Sequence, residues 1–170
     1  MPGAMELMEA SIPGLRRYAS ALLRNRQEVD DLVHDCLVRA LDQIHTRRSD
    51  TEMRSWLFAI MHNLFVSRIR KQSVRGRMQT VEEVREETLG VDGGQERHMQ
   101  LRDVVRALDA LPEEQRSVLV LVSVEDLSYA EVATVLGIPT GTVMSRLVRG
   151  RERLRQMVEG APGALRRRVR

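Results

Sequence analysis

Three groups of residues have types and spacings that chemistry could use. Asp31, Asp35 and Arg39 recur every fourth residue, so they share one face of a helix. Paired carboxylates can hold a metal or do acid–base work. The same stripe also fits a solvated face with a weak Asp–Arg pair, or a docking surface for a basic partner. A catalytic pair needs a third group and a pocket, and neither is visible in the sequence. The second group is His34, Cys36, His45 and His62. His34 and Cys36 are two apart and point to different faces of a helix, and the other two histidines have no companions at zinc spacing. Cys36 reads as a small core residue. The third group is Thr142, Ser145, Arg146, Arg149 and Arg153, opposite an apolar seam of Val143, Leu147, Gly150, Leu154 and Met157. Arginines can meet phosphates or a guanine edge, and small hydroxyls allow close approach, so this face suits a DNA major groove.

The elements around that third group support the same use. The stretch SYAEVATVLGIPTGTVMSRLVRGRERLR predicts two helices around a tight turn. Ser128 and Glu131 make a capping box. Gly137 stands where a left-handed residue ends the first helix, and Pro139 forbids continuation. Thr140 is the expected N-cap of the second helix. This is the helix-turn-helix pattern with its second helix as reader. An ordinary helical hairpin with a solvated basic face is the alternative.

Charge is placed unevenly along the 170 residues, whose net charge is +3. Ser145 to Arg170 carries nine arginines against two acids, which puts positive charge on the reader helix and the tail, where phosphates would use it. Ser73 to His98 is acidic by comparison. Aromatics are few, and no segment alternates as a half-buried strand would, so the expected fold is all-α. No segment has the length of a membrane span, and MPGAMELMEA lacks the parts of a signal peptide, so a cytoplasmic protein without membrane insertion is expected. One cysteine excludes an internal disulfide framework. There is no P-loop and no dinucleotide fingerprint, and no cofactor is expected.

In chain order, residues up to about Ser11 are expected to be a short frayed leader. Helices are expected over Ile12–Leu23 and Val29–Ile44, with a turn at Asn25–Glu28 between them. The second buries Leu32, Cys36, Ala40 and Ile44. His45–Ser55 is a polar loop. Trp56–Gln72 is a helix that becomes basic at Arg68, Arg70 and Lys71, through dipole complementation or as a second nucleic-acid contact. Residues 73–96 are acidic and Gly-bearing and predict a flexible linker, with a short helix possible around Val81–Glu87. Helices follow over Arg97–Leu111 and from Pro112 to about Val124, the latter through VLVLVSV, which is apolar enough to be the buried centre of its domain. A strand would fit VLVLVSV by composition, but the PEEQR start signal favours helix.

Both halves resemble a bacterial RNA polymerase sigma factor of the extracytoplasmic-function (ECF) type, which retains only the second and fourth sigma domains. EVDDLVHDCLVRAL resembles the segment D-A-E-D-L-V-Q-E-T-F-L-R-A, and RSWLFAIMHNLFVSRIRKQ the helix R-A-W-L-x-x-I-A-x-N-x-x-x-D-x-x-R-R. ALDALPEEQRSVLVLVSVEDLSYAEVATVLGIPTGTVMSRLVRGRERLR is similar to the family's −35 reader, with L-P-x-x-x-R, S-Y-x-E-[IV]-A and G-[TV]-V-x-S-R-L-x-R-[AG]-R together. Leu37 replaces a common aromatic, Cys36 a Thr or Val, and Ser67 an Asp. Gly150 takes a place usually held by alanine, at a helix cost of up to about 1 kcal/mol.

The resemblance implies two helical domains, residues 12–72 and 97–158, joined by the 73–96 linker and followed by a basic tail over 159–170. It implies docking on the clamp helices of the polymerase β′ subunit by Asp31, Leu32, Val33, Asp35, Leu37 and Arg39, with a further contact of the second domain on the β flap. It implies −10 contact by Asn63, Arg68, Arg70 and Lys71, beside a loop that captures a flipped base. It implies −35 contact by Thr140, Thr142, Ser145, Arg146, Arg149 and Arg153. Such a factor does no covalent chemistry and is commonly held by an anti-sigma protein. From the acidic, Gly-bearing linker, the two domains are expected to pack together when inhibited and to separate on polymerase. A stand-alone helix-turn-helix regulator and a sigma mimic that sequesters an anti-sigma protein are the alternatives.

Overall fold

Gly3 starts the first helix: its N–H donates to the Glu6 carboxylate at 3.1 Å. In the computed structural model, which describes residues 2–47, 53–74 and 95–160, α1 then runs Ala4–Leu22. The expected frayed leader is therefore helical. Met8 and Ser11 are buried, and Ser11 Oγ donates to the Leu7 carbonyl at 2.8 Å. Pro13 lies inside α1 on its exposed side, so its ring and missing N–H fall away from the packing surface.

The turn expected at Asn25–Glu28 is instead a capped helix start. The Asn25 side chain accepts from the N–H groups of Gln27 and Glu28 at 2.7 and 3.2 Å. α2 runs Arg26–Gln43 and ends in a 3-10 turn at Ile44–Thr46. α3 runs Met53–Val74, longer at both ends than the sequence predicts. The expected linker core, its possible short helix and the arginine tail lie at 75–94 and 161–170, outside the described residues, as do loop residues 48–52.

α1, α2 and α3 pack as a three-helix unit. Leu15, Tyr18, Ala19 and Leu22 meet Leu32, Val33 and Cys36 and then Leu57, Phe58 and Met61 in one core. Tyr18 and Phe58 pack edge to face, centroids 5.6 Å apart. Cys36 is buried, its thiol donating to the Leu57 carbonyl at 3.4 Å, and burial pushes that thiol up to about 12. It is a core residue.

The second half holds α4 (Gln95–Ala110), α5 (Glu113–Ser123), α6 (Tyr129–Leu136) and α7 (Thr140–Glu159). VLVLVS is helical, Ser117 to Leu121 are buried, and Val124 follows as an exposed cap residue. A helix apolar all round must sit at a centre. α5 does so, packed on α6 and α7 in its own half and on α1 of the other. Gly150 explains its own presence: a Cβ there would stand 3.0 Å from Leu119 Cδ1, so its absence lets α7 approach α5. The described residues form seven α-helices and no strand. α3 also packs on α6, so one apolar core runs through both halves.

Candidate nucleic-acid and partner interfaces

The capping box is formed: Glu131 N–H donates to Ser128 Oγ at 3.2 Å, and Ser128 N–H donates to the Glu131 carboxylate at 2.8 Å. Gly137 takes φ +64°, the left-handed stop the sequence predicts. Thr140 differs from expectation. It is the first residue of α7, Pro139 holds the cap position, and no side chain caps the helix. The Pro139 carbonyl accepts from Thr142 and Val143 N–H instead.

On α7, Val143, Leu147 and Gly150 face inward. Thr140, Ser145, Arg149 and Arg153 are exposed, Thr142 is half-buried, and Arg146 is half-buried beside Glu114 of α5 at 3.4 Å. Arg149 and Arg153 make no ion pair among the described residues, whereas Arg155 is held by Glu152 and Glu159. Met144 and Val148 also stand on the outward face. Sequence reasoning missed them because it grouped the polar residues and assigned apolar ones to the core.

On α2, Asp31, Asp35 and Arg39 are exposed. Leu32 and Val33 are buried in the core, and Leu37 is half-buried. Val38 and Leu41, unremarked in the sequence, are exposed. Helical spacing puts Val38 among Asp31, Asp35 and Asp42, so the outward face of α2 is acidic with an apolar centre. The signal was available: α2 carries more apolar residues than one inward stripe holds.

On α3, Asn63, Arg70 and Lys71 are exposed. Arg68 is not free: it donates to Asp35 of α2 at 2.6 Å and to the Glu28 carbonyl at 3.4 Å. Arg47 stacks on Trp56, its guanidinium 5.4 Å from the ring centroid.

A polar seam joins the halves. Tyr18 OH lies 3.0 Å from His62 Nδ1, and Ser117 Oγ of α5 donates to Glu113 at 2.7 Å. Burial pushes the Tyr18 hydroxyl up, with the Ser117 hydroxyl opposing and Glu113 adding. Burial pulls His62 down from its ordinary 6.5, Glu113 opposing and Arg146 assisting. Nearby, Glu125 is fully buried. Arg17 Nε and Nη2 donate to its two oxygens at 2.7 and 2.9 Å, and Arg54 Nη2 donates at 2.9 Å. The Glu125 bond raises the Arg17 guanidinium further. Removing one partner of a buried ion pair costs about 3–5 kcal/mol, and the half-exposed arginines lower that figure here. Asp126 at φ +57° makes the turn that aims Glu125 inward. Nothing in helical periodicity points to this cluster, whose members lie 71 and 108 residues apart.

Two helical units, one carrying a helix-turn-helix and the other a helix with an acidic outward face around Val38, have the architecture of a helix-turn-helix DNA-binding protein. Residues 101–154 match the family model of sigma-70 region 4, and residues 8–62 match that of the sigma2 domain of PhyR. The chain is 36% identical to the ECF RNA polymerase sigma factor EcfG of Rhodopseudomonas palustris, over 89% of this chain and 84% of that one. It is 33% identical to the ECF sigma factor SigE of Mycolicibacterium smegmatis, over 91% of this chain and 61% of that one. Its structure is similar to that of the sigma factor RpoE from Bartonella quintana, solved in complex with the anti-sigma factor NepR. The TM-score is 0.74 and the identity 28%, over 89% of this chain and 94% of that one. The chain belongs to the ECF family of RNA polymerase sigma factors.

Proposed function

We propose that this chain docks on core RNA polymerase through the outward face of α2 and directs it to promoters read by α3 at −10 and α7 at −35. One observation carries this most: two unlike faces coexist in one chain. A stand-alone regulator needs only the basic face of α7, whereas the acidic face of α2 around Val38 calls for a protein partner. Asp31, Asp35, Val38 and Arg39 supply that contact at the β′ clamp helices, and the second half adds one at the β flap. Leu32 and Val33 hold the helix in place from behind. Asn63, Arg70 and Lys71 meet the −10 strand, and Arg68 joins them by leaving Asp35. Ser145, Arg149 and Arg153, with Thr140 and Thr142 near the helix start, meet the −35 duplex.

The chain performs recognition without covalent chemistry, in the cytoplasm. Among the described residues no helix is long and apolar enough to cross a membrane. An anti-sigma protein is its inhibitor, a partner supported by the relative solved in such a complex.

Co-elution with purified core polymerase, with a housekeeping sigma factor as competitor, tests the function. Mutual displacement is expected. No binding to core, with tight binding to promoter duplex alone, would establish a stand-alone regulator. Binding only to an anti-sigma protein would establish a mimic.

A further inference from the structure

Glu125 lies on the short connection between α5 and α6, where it would meet water if the two halves separated. In this structure it is fully buried, and the three hydrogen bonds that hold it come from Arg17 and Arg54 in the other half. Gly14 completes the socket: a Cβ at that position would stand 2.6 Å from Glu125 Oε2 and 3.4 Å from Phe58 Cζ. One glycine and two arginines of the first half thus receive one carboxylate of the second. The ion pairs are well formed but reversible. Burying the carboxylate costs hydration that the arginines offset, and separation returns all three groups to water.

The closed arrangement cannot serve both promoter elements. α3 packs on α6 and α6 on α7. Packed helix axes lie about 8–10 Å apart, which puts α3 within about 20 Å of α7. Elements named −10 and −35 are roughly 25 base pairs apart, or about 85 Å at 3.4 Å per pair. The halves must part before both are read.

We propose that Glu125 in its Arg17–Arg54 socket is a latch that keeps the free chain self-docked, so that the chain itself opposes polymerase binding. This rests on the sigma-factor function above. A closed majority lowers the apparent affinity for core by the fraction of chain that is open. Breaking the latch removes that handicap.

The test uses the full chain in three forms: wild type, Glu125→Arg, and the double variant Arg17→Glu with Arg54→Glu. Small-angle scattering reads the shape, and competition with a housekeeping sigma factor reads affinity for core. The double variant changes only half-exposed side chains, so it keeps the test decisive if Glu125→Arg fails to fold. The expected result is a compact wild type, a radius of gyration several ångströms larger in the variants at unchanged helical content, and core binding tighter by about fivefold or more. An unchanged radius in the double variant overturns the latch. A larger radius with unchanged core affinity overturns its inhibitory role. If no form binds core, the sigma-factor function fails, while scattering still decides whether the socket holds the halves together.

Discussion

Arg146 of α7 faces Glu114 of α5 across 3.4 Å, with about a quarter of its side chain exposed. The arginine that spacing assigns to the reader face therefore sits on its shoulder and ties α7 to α5. Arg149, three residues on, points outward without an ion pair among the described residues. The two arginines share a type and a helix, and they stand in different electrostatic settings.

That difference predicts unequal roles. Arg149→Ala should weaken −35 duplex binding by roughly 1–3 kcal/mol, concentrated at one base position. Arg146→Ala should lose less, with a small drop in stability from the broken partly exposed pair, below about 1 kcal/mol. Anisotropy titrations against a base-substituted duplex series check both. A larger loss for Arg146 would show that the Glu114 pair opens on DNA and that Arg146 is the reader.

The outward face of α2 predicts a second separation. Asp31→Arg and Val38→Asp should each weaken competition for core polymerase by about tenfold, or about 1.4 kcal/mol. Both positions are exposed, so unfolding free energy should move by less than about 0.5 kcal/mol. Competition assays and urea titrations on the same samples measure the two effects. Undiminished competition would remove α2 from the docking surface.

The parts of the fold legible in the sequence were those with local causes. Ser128, Glu131 and Gly137 act within one turn of chain, and the structure shows the cap and the left-handed stop they predict. The inward stripes of α1, α2 and α7 followed from 3.6-residue spacing. The misses had tertiary causes. Residues before Ser11 are helical because Met8 and Ser11 are buried, which local composition does not reveal. Thr140 yields the cap to Pro139, so a residue's preference for a role did not decide who took it. Glu125 has no local partner in the sequence pattern, and the packing of α1 and α3 on the α5–α6 connection brings it Arg17 and Arg54.

The turn of the helix-turn-helix gives a stability prediction. Gly137 is left-handed with open space around its missing Cβ, so Gly137→Ala meets backbone strain and no clash. Its cost should be about 1–2 kcal/mol. Ser128→Ala should cost about 0.5–2 kcal/mol through the lost cap. Denaturant midpoints measure both. A neutral Gly137→Ala would mean that the turn relaxes out of the left-handed region.

His62 gives a pH prediction with a definite sign. Burial lowers its pKa below the ordinary 6.5, so the folded protein favours the neutral ring, whose Nδ1 is hydrogen-bonded to Tyr18 OH at 3.0 Å. Below about pH 6.5 the unfolded chain binds the proton more readily than the folded one, and stability falls as pH drops toward the folded value. Glu113, facing the ring from α5, resists that shift, and Arg146 on α7 reinforces it. One such group sets a slope of at most about 1.4 kcal/mol per pH unit. Urea titrations between pH 7.5 and 5.5 should therefore show falling stability in the wild type and a flatter profile in His62→Phe. The variant loses the Tyr18 hydrogen bond at every pH, which lowers its whole curve, so the slope carries the answer. An equal slope in both proteins would assign the acid sensitivity to other groups and leave His62 as packing.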